Sequence, residues 1–306
     1  MKDVYILAIE SSCDETSASI VKNGKEDIAT TINTQIDTHK LYGGVVPEVA
    51  SRLHLENITL VIDETLKKAN MKVEDMDAIA VTYAPGLLGS LLVGLEAAKT
   101  LSLVISGGHT DLLYMENESS FKYIGRTLDD AVGECFDKVA RILDMPYPGG
   151  PNVERLASNG NNTYHMPKIL DDNTFNFSFS GIKSHVNNLV HNAKQRGETI
   201  VKEDIARSFQ DAVIDVLVRK SENAINHFGV KNFSIAGGVA SNSHIREALT
   251  KMCERNDVKL FIPDKKYCTD NATMIGAAAY VLYKNNEFSD LDVNASSHEE
   301  LTLEEM

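Results

Sequence analysis

The chain has 306 residues, 43% of them apolar and 24% charged, the composition of a folded, water-soluble protein with room for two domains. Thirty basic residues against 44 acidic ones leave a net charge of −14. That argues against an extended nucleic-acid surface, because phosphate contact is dominated by Lys and Arg, but leaves room for a local basic patch; with a nucleic-acid substrate a partner should supply part of the positive surface. No apolar run approaches the length of a membrane span, so no membrane partner is expected. The first residues enter a strand without a basic region or cleavage site, and the reading is cytoplasmic.

Residues 4–36 read as a β-meander: Val4–Ile9, Thr16–Lys22 and Asp27–Ile36, with Asn23-Gly24 as a hairpin turn. A glycine-bearing loop, His39 to Glu48, leads into a helix over Glu48–Ala69, where Leu53, Ile58, Ile62 and Leu66 recur at near-helical spacing. Ala78–Thr82 reads as a buried strand, and Pro85 to Ser90 as a turn into a small-residue helix, Leu91–Lys99. Gly86 and Gly89 admit either a ligand at that helix start or close helix packing. At Lys99-Thr100-Leu101-Ser102 a helix ends and a strand begins with no Gly, Pro or Asx residue to reverse the chain, as though a connection were missing.

A strand from Leu103 to Ile105 then runs into Ser106-Gly107-Gly108-His109-Thr110, and a second apolar run, Leu112 to Met115, leaves it. Two glycines allow positive φ and bare backbone N–H groups, so the tip suits an anion, with Ser106 and Thr110 as hydroxyl donors; taken alone, an ordinary tight turn is the simpler reading. Lys122–Arg126 is a strand. Leu128–Leu143 is an amphipathic helix whose other face carries Asp130, Glu134, Asp137 and Arg141, either solvated surface or the wall of a cleft. Tyr147-Pro148-Gly149-Gly150-Pro151 is a stiff turn opening a helix at Asn152. Phe175 to Lys183 alternates aromatic and polar residues, a strand ending in a Ser-Gly-x-Lys turn, with Lys183 free for a phosphate or the surface.

Lys202–Phe228 is a long helix closed by Gly229. Strand Asn232–Ala236 enters Gly237-Gly238-Val239-Ala240-Ser241-Asn242, with helix Ser243–Arg255 capped by Ser241 or Asn242. Strand–Gly-Gly–helix suits an adenosine pocket, although the dinucleotide fingerprint is absent. Val258–Ile262 is a further strand. Asp270 precedes a helix rich in alanine, where an Asp is usually a cap; as a metal ligand it would need partners. The tail from about Ser289 is polar and acidic. Four cysteines, at 13, 135, 253 and 268, lie far apart without a Cys-x-x-Cys pair, which excludes a zinc knuckle and gives no disulfide framework.

The Ser106–Thr110 tip has a counterpart near the start. Strand Ile6–Ile9 runs into Glu10-Ser11-Ser12-Cys13-Asp14-Glu15-Thr16 before strand resumes. Two such tips, one opening each half, are what a two-lobed nucleotide clamp needs. The expected fold is α/β, two related lobes with mixed sheets and flanking helices and a nucleotide between them. Residues 1–100 plus about 275–306 would form the first lobe and 101–274 the second.

The tips, together with Tyr42-Gly43-Gly44-Val45-Val46-Pro47-Glu48, Tyr147 to Pro151, Phe177-Ser178-Phe179-Ser180-Gly181, Ala236 to Asn242 and Cys268-Thr269-Asp270-Asn271-Ala272, closely resemble the tRNA threonylcarbamoyladenosine transferase family (TsaD in bacteria) over nearly the whole chain. The resemblance implies the fold of actin, sugar kinases and heat-shock ATPases. It implies transfer of a threonylcarbamoyl group from threonylcarbamoyl-AMP to the exocyclic amine of the adenosine 3′ of the anticodon in tRNA. Val104, Ile105, Ser106, Gly107, Gly108, Asp137, Gly150, Glu154 and Asn242 would contact the adenylate, and Asp270 would ligate one iron or zinc ion. A shorter paralogue of the same fold (TsaB-like) and a small ATPase (TsaE-like) would be partners.

One departure matters. The family carries a His-x-x-x-His metal motif between the helix ending near Lys99 and the strand leading to the Ser106 hairpin, and this chain has no such segment. Two of three protein metal ligands are missing, so metal binding is expected to be weakened or lost. Ala84-Pro85-Gly86 stands where Gly-Pro-Gly is usual. Asp14 and Glu15 are the candidates for proton handling. Competing readings are a small-molecule kinase of the same fold and a metal-deficient, non-catalytic scaffold; a zinc peptidase would need His-Glu-x-x-His, which is absent.

Overall fold

Two sheets repeat one pattern. In the first, β1 (Tyr5–Glu10), β2 (Glu15–Lys22) and β3 (Glu26–Thr34) form an antiparallel meander, and β4 (Ala78–Val81) lies parallel to β1, giving the order β3-β2-β1-β4. In the second, β5 (Thr100–Ile105), β6 (Thr110–Asn117) and β7 (Ser120–Arg126) form the meander, β8 (Asn232–Ala236) is parallel to β5, and β9 (Lys259–Phe261) extends the edge. The computed structural model describes residues 2–82, 100–117 and 120–289. The expected turn and helix over residues 85–99, the Ala84-Pro85-Gly86 departure and most of the acidic tail lie outside the described residues.

Contacts divide the chain into one unit of Met1–Ala97 with Pro263–Met306, and another of Ala98–Ile262. The first unit resumes at Pro263, earlier than the expected boundary near residue 275, so Asp270 stands in the first unit. In that unit α1 (Ile36–Lys40) is followed by α2 (Pro47–Ala69), which packs on β2 and β3. Further along the chain, α8 (Ala272–Asn285) lies against β1 and β2. Ile6, Leu7, Ala8, Ala18 and Ile20 form the buried centre of this unit. At the β2–β3 turn Asn23 and Gly24 both have positive φ, 54° and 69°, as a two-residue hairpin of this hand requires.

The second unit carries α3 (Val132–Ile142), α4 (Gly149–Ala157), α5 (Ser180–Arg196), α6 (Lys202–Phe228) and α7 (Ser243–Arg255). Its core holds Leu101, Leu103, Leu112, Phe136, Phe177, Phe179, Phe209 and Phe233, with the Phe136 and Phe209 rings edge to face at 5.1 Å. Each fully buried Phe contributes about 1.5–3 kcal/mol.

Three expectations are corrected. Among the described residues Ala78–Val81 lies at the edge of its sheet, with Ile79 62% and Val81 51% exposed, and is not the buried strand expected. The amphipathic helix begins at Val132, and Leu128 is 63% exposed ahead of it. Phe175–Lys183 is not a strand: Phe177 makes a single bridge to Thr127 and α5 starts at Ser180. Its alternation arises because Phe177 and Phe179 both enter the core while Asp129 accepts hydrogen bonds from Ser178 Oγ, Ser180 Oγ and the amides of Phe179 and Ser180.

Candidate functional site

In the first unit, the turn joining β1 to β2 holds a concentration of acid. Glu10 is fully buried; its carboxylate accepts the Ser12 amide at 2.6 Å and the Ser12 hydroxyl at 2.5 Å, and Thr82 Oγ1 also donates to it. Glu15 is buried beside Asp14. Burial foremost, then the Asp14 carboxyl and a hydrogen bond shared with it, push Glu15 up to about 9. Glu15 therefore keeps its proton at neutral pH. Asp270 is pushed up to about 7 by burial and then by Glu10 and Asp14.

Asp270 is not the cap of α8. Asn271 Oδ1 accepts the Met274 amide at 3.1 Å, and Asn271 Nδ2 donates to the Thr269 carbonyl at 2.8 Å. Among the described residues the Asp270 carboxylate has neither a hydrogen bond nor a cation. Donor atoms of Cys13, Asp14 and Asp270 lie within 4.8 Å of one another. They do not reproduce the ligand set that the resemblance implies, since only its carboxylate is present. Burial foremost, then Asp14 and Asp270, push the Cys13 thiol up to about 12, so a metal held there would have to displace its proton.

In the second unit, the β5–β6 turn is closed by the Ser106 amide donating to the His109 carbonyl at 2.9 Å. Neither Gly107 nor Gly108 has positive φ, contrary to expectation. The expected hydroxyl donors are engaged as acceptors within the chain: Ser106 Oγ takes the amides of Gly108 and His109, and Thr110 Oγ1 takes the Val132 amide at 2.8 Å. Val104 and Ile105 are buried strand residues below the tip.

The other three polar candidates each hold a helix start. Asp137 Oδ1 accepts the Gly149 amide at 2.7 Å at the first turn of α4, and its carboxylate also takes the Gly150 amide. Burial outweighs those two hydrogen bonds and raises the Asp137 carboxyl above its usual range. Of the two readings of the acidic stripe, solvated surface does not hold for Asp137, whose carboxylate turns to the start of α4. Glu154 Oε1, on α4, accepts the Ser243 amide at 2.8 Å at the start of α7. Asn242 Oδ1 caps α7 through the amides of His244 and Ile245, both at 3.0 Å, and its Nδ2 donates to buried Gln210 Oε1. Lys183 is not free for a phosphate, since its ammonium meets Asp130 at 2.6 Å.

Glycines around the tip fall into two classes. A Cβ on Gly133 would meet the Ser106 carbonyl oxygen at 2.5 Å, and one on Gly237, at φ +93°, the Ile105 carbonyl oxygen at 2.4 Å. These two are required by the packing of the chain. Gly107, Gly108, Gly150 and Gly238 have ordinary φ and nothing within 4 Å of a Cβ, so the chain itself does not require glycine there.

The family model described as "TsaD: tRNA N6-adenosine threonylcarbamoyltransferase" matches residues 27–105 and 101–277. The chain belongs to this family. A tRNA N6-adenosine threonylcarbamoyltransferase of Staphylococcus carnosus is 48% identical over 337 residues, covering 99% of this chain and 98% of the relative. That of Staphylococcus haemolyticus is 47% identical over 339 residues, covering 99% of each. Component A of Acidaminococcus fermentans (R)-2-hydroxyglutaryl-CoA dehydratase has a similar fold, with TM-score 0.52 at 20% identity over 92% of this chain and 98% of its own. So does full-length HypF in its phosphate- and nucleotide-bound form, with TM-score 0.59 at 13% identity over 94% of this chain and 47% of its own. The fold is that of the actin-like ATPases, and the activity is acyl transfer to N6 of an adenosine in tRNA.

The family match also locates the departure seen in the sequence. Its two stretches meet at residues 101–105, and the alignments to the relatives run over more positions than this chain has residues. The relatives therefore carry internal residues that this chain lacks, and the matched stretches break at the start of β5.

Proposed function

We propose that the chain takes threonylcarbamoyl-AMP as donor and acts on the adenosine 3′ of the anticodon, with the second unit holding the adenylate. The observation that carries this is the set of four glycines, Gly107, Gly108, Gly150 and Gly238, at positions where the fold itself asks for none. Bare Cα positions at the β5–β6 tip and at two helical starts let a ligand lie close against the backbone, and a helix N-terminus favours an anion. Asp137 acts by fixing the start of α4, and Glu154 and Asn242 by fixing the start of α7, rather than by offering free side chains.

The carbamoyl carbon is activated by its AMP leaving group, so the chain has to position it and accept a proton. N6 of adenosine attacks that carbon, the C–N bond forms, the bond to the phosphate oxygen breaks, and AMP departs with the electron pair. Asp14 accepts the proton shed by N6, and protonated Glu15 steadies it through their shared hydrogen bond. The transfer so described uses the chain's own groups. A shorter paralogue of the same fold and a small ATPase are the proposed partners in the cytoplasm, and a helper in tRNA binding fits the net charge of −14.

Mass spectrometry of tRNA nucleosides after incubation with threonylcarbamoyl-AMP tests this. The expected product is threonylcarbamoyladenosine at the position 3′ of the anticodon, reduced by Asp14→Asn. Phosphate release from ATP that depends on a small alcohol or acid, with no modified nucleoside, would refute it.

A further inference from the structure

The carboxylates of the first hairpin sit on a backbone held by residues remote in sequence. His54, on α2, reaches the turn with both ring nitrogens: Nε2 lies 2.9 Å from the Cys13 carbonyl oxygen and Nδ1 lies 2.7 Å from Thr16 Oγ1. Gln35 donates its backbone amide to the Asp14 carbonyl at 2.9 Å. Cys13, Asp14 and Thr16 are thus anchored through His54 and Gln35, while Glu15 pairs with Thr34 in the β2–β3 ladder and its Oε1 takes a long hydrogen bond from Thr34 Oγ1 at 3.5 Å.

Donor and acceptor rules fix the direction of the whole set. The Val46 amide can only donate, so His39 Nδ1, 3.3 Å away, is the acceptor and His39 Nε2 carries the hydrogen. His39 Nε2 then donates to Gln35 Oε1 at 3.1 Å, which turns Gln35 Nε2 toward the Ala50 carbonyl at 3.3 Å and His54 Nδ1 at 3.4 Å. His54 Nδ1, accepting from Gln35 and from the Thr16 hydroxyl, leaves Nε2–H to donate to the Cys13 carbonyl, which can only accept. The chain from the Val46 amide through His39, Gln35 and His54 to the Cys13 carbonyl runs one way, through two neutral rings in the same tautomer, while the Thr16 hydroxyl donates back to His54 Nδ1 and Gln35 Nε2 also donates to the Ala50 carbonyl. His39 and Gln35 are buried, where an unmatched donor or acceptor costs about 1–3 kcal/mol.

We infer that this relay, with His54 as its last member, is a positioning device for Asp14 and Glu15. It rests on the reading of those two carboxyls as the proton-handling groups. A displacement of about 1 Å at reacting groups costs on the order of 100-fold in rate. The relay therefore acts on kcat and leaves adenylate affinity alone.

The test is single-turnover transfer from threonylcarbamoyl-AMP to tRNA with the full chain. His54→Phe keeps ring volume and loses both hydrogen bonds; kcat is expected to fall about 10- to 100-fold, with KM for threonylcarbamoyl-AMP unchanged. His54→Asn and His54→Gln, which each restore one bond, recover part of the loss. Adding Thr16→Val to His54→Phe costs nothing further. Should His54→Phe fail to fold, ¹⁵N–¹H spectra of the unsubstituted protein read the wiring directly, with Nε2–H and an accepting Nδ1 at both His39 and His54. Wild-type kcat in folded His54→Phe, or an Nδ1–H tautomer at either ring, overturns the inference. Wild-type kcat in both Asp14→Asn and Glu15→Gln overturns the reading of the turn, and the relay's catalytic role with it, while the tautomers stay as assigned.

Discussion

Asp137, on α3, accepts the amide of Gly149 at 2.7 Å and so ties the start of α4 to a neighbouring helix. Gly149 allows this approach, because a Cβ there would meet the Asp137 Cα at 2.6 Å. Asp137→Ala frees two amides at a packed helix start. Stability is expected to fall by about 1–3 kcal/mol, and AMP affinity about tenfold. Asp137→Asn keeps one acceptor oxygen and loses less of both. Thermal unfolding and titration calorimetry with AMP check the pair, and an Asp137→Ala protein with normal AMP affinity would detach this anchor from the ligand.

The two classes of glycine predict opposite outcomes for the same substitution. Gly107→Ala, Gly150→Ala and Gly238→Ala meet open space at ordinary φ, so melting temperature holds or rises slightly while adenylate binding weakens. Gly237→Ala places a Cβ on the Ile105 carbonyl at positive φ, and Gly133→Ala places one on that of Ser106, so both lose stability, by about 1–3 kcal/mol each. Melting curves with and without AMP separate the classes.

Asp129 predicts a pH dependence. Burial acts to raise its carboxyl, but hydrogen bonds from Ser178, Ser180 and the Phe179 and Ser180 amides outweigh it and hold the group below its usual 3.8. A folded-state value below the unfolded one contributes stability above the unfolded value and loses it as pH falls through the folded one. The unsubstituted protein should therefore lose stability faster than Asp129→Asn as pH drops below about 4. Urea unfolding across that range measures it, and parallel curves would contradict it.

The missing segment predicts metal content. The chain as it stands should purify with far less than one iron or zinc per molecule. Inserting the corresponding residues of the Staphylococcus carnosus relative ahead of β5 should raise that content. Metal analysis of both proteins decides, and stoichiometric metal with near-normal turnover in the 306-residue chain would contradict the expectation.

Much of this was legible in the residues themselves. Lys202–Phe228 and Asn232–Ala236 form with the bounds that periodicity and the Gly229 stop predict, because each is long or apolar enough to dominate its surroundings. The segment around Phe177 was misread because two inward phenylalanines at alternate positions mimic a strand, and only Asp129, far off in sequence, reveals a capped helix start instead. Local pattern likewise chose Asp270 as the cap, where its neighbour Asn271 takes that place and leaves the acid without a hydrogen bond or cation among the described residues. The Val46–His39–Gln35–His54 relay carries no spacing signal, since its members meet only once α2 has folded back on the meander.

Both meanders turn at the same place, after their first strand, and each first strand then takes a parallel neighbour on its far side. One turn carries clustered acid and the other naked peptide, so the ladders are indifferent to what the turn is for. A duplicated half-molecule could diverge in chemistry by changing a handful of turn residues while its strands went on pairing as before.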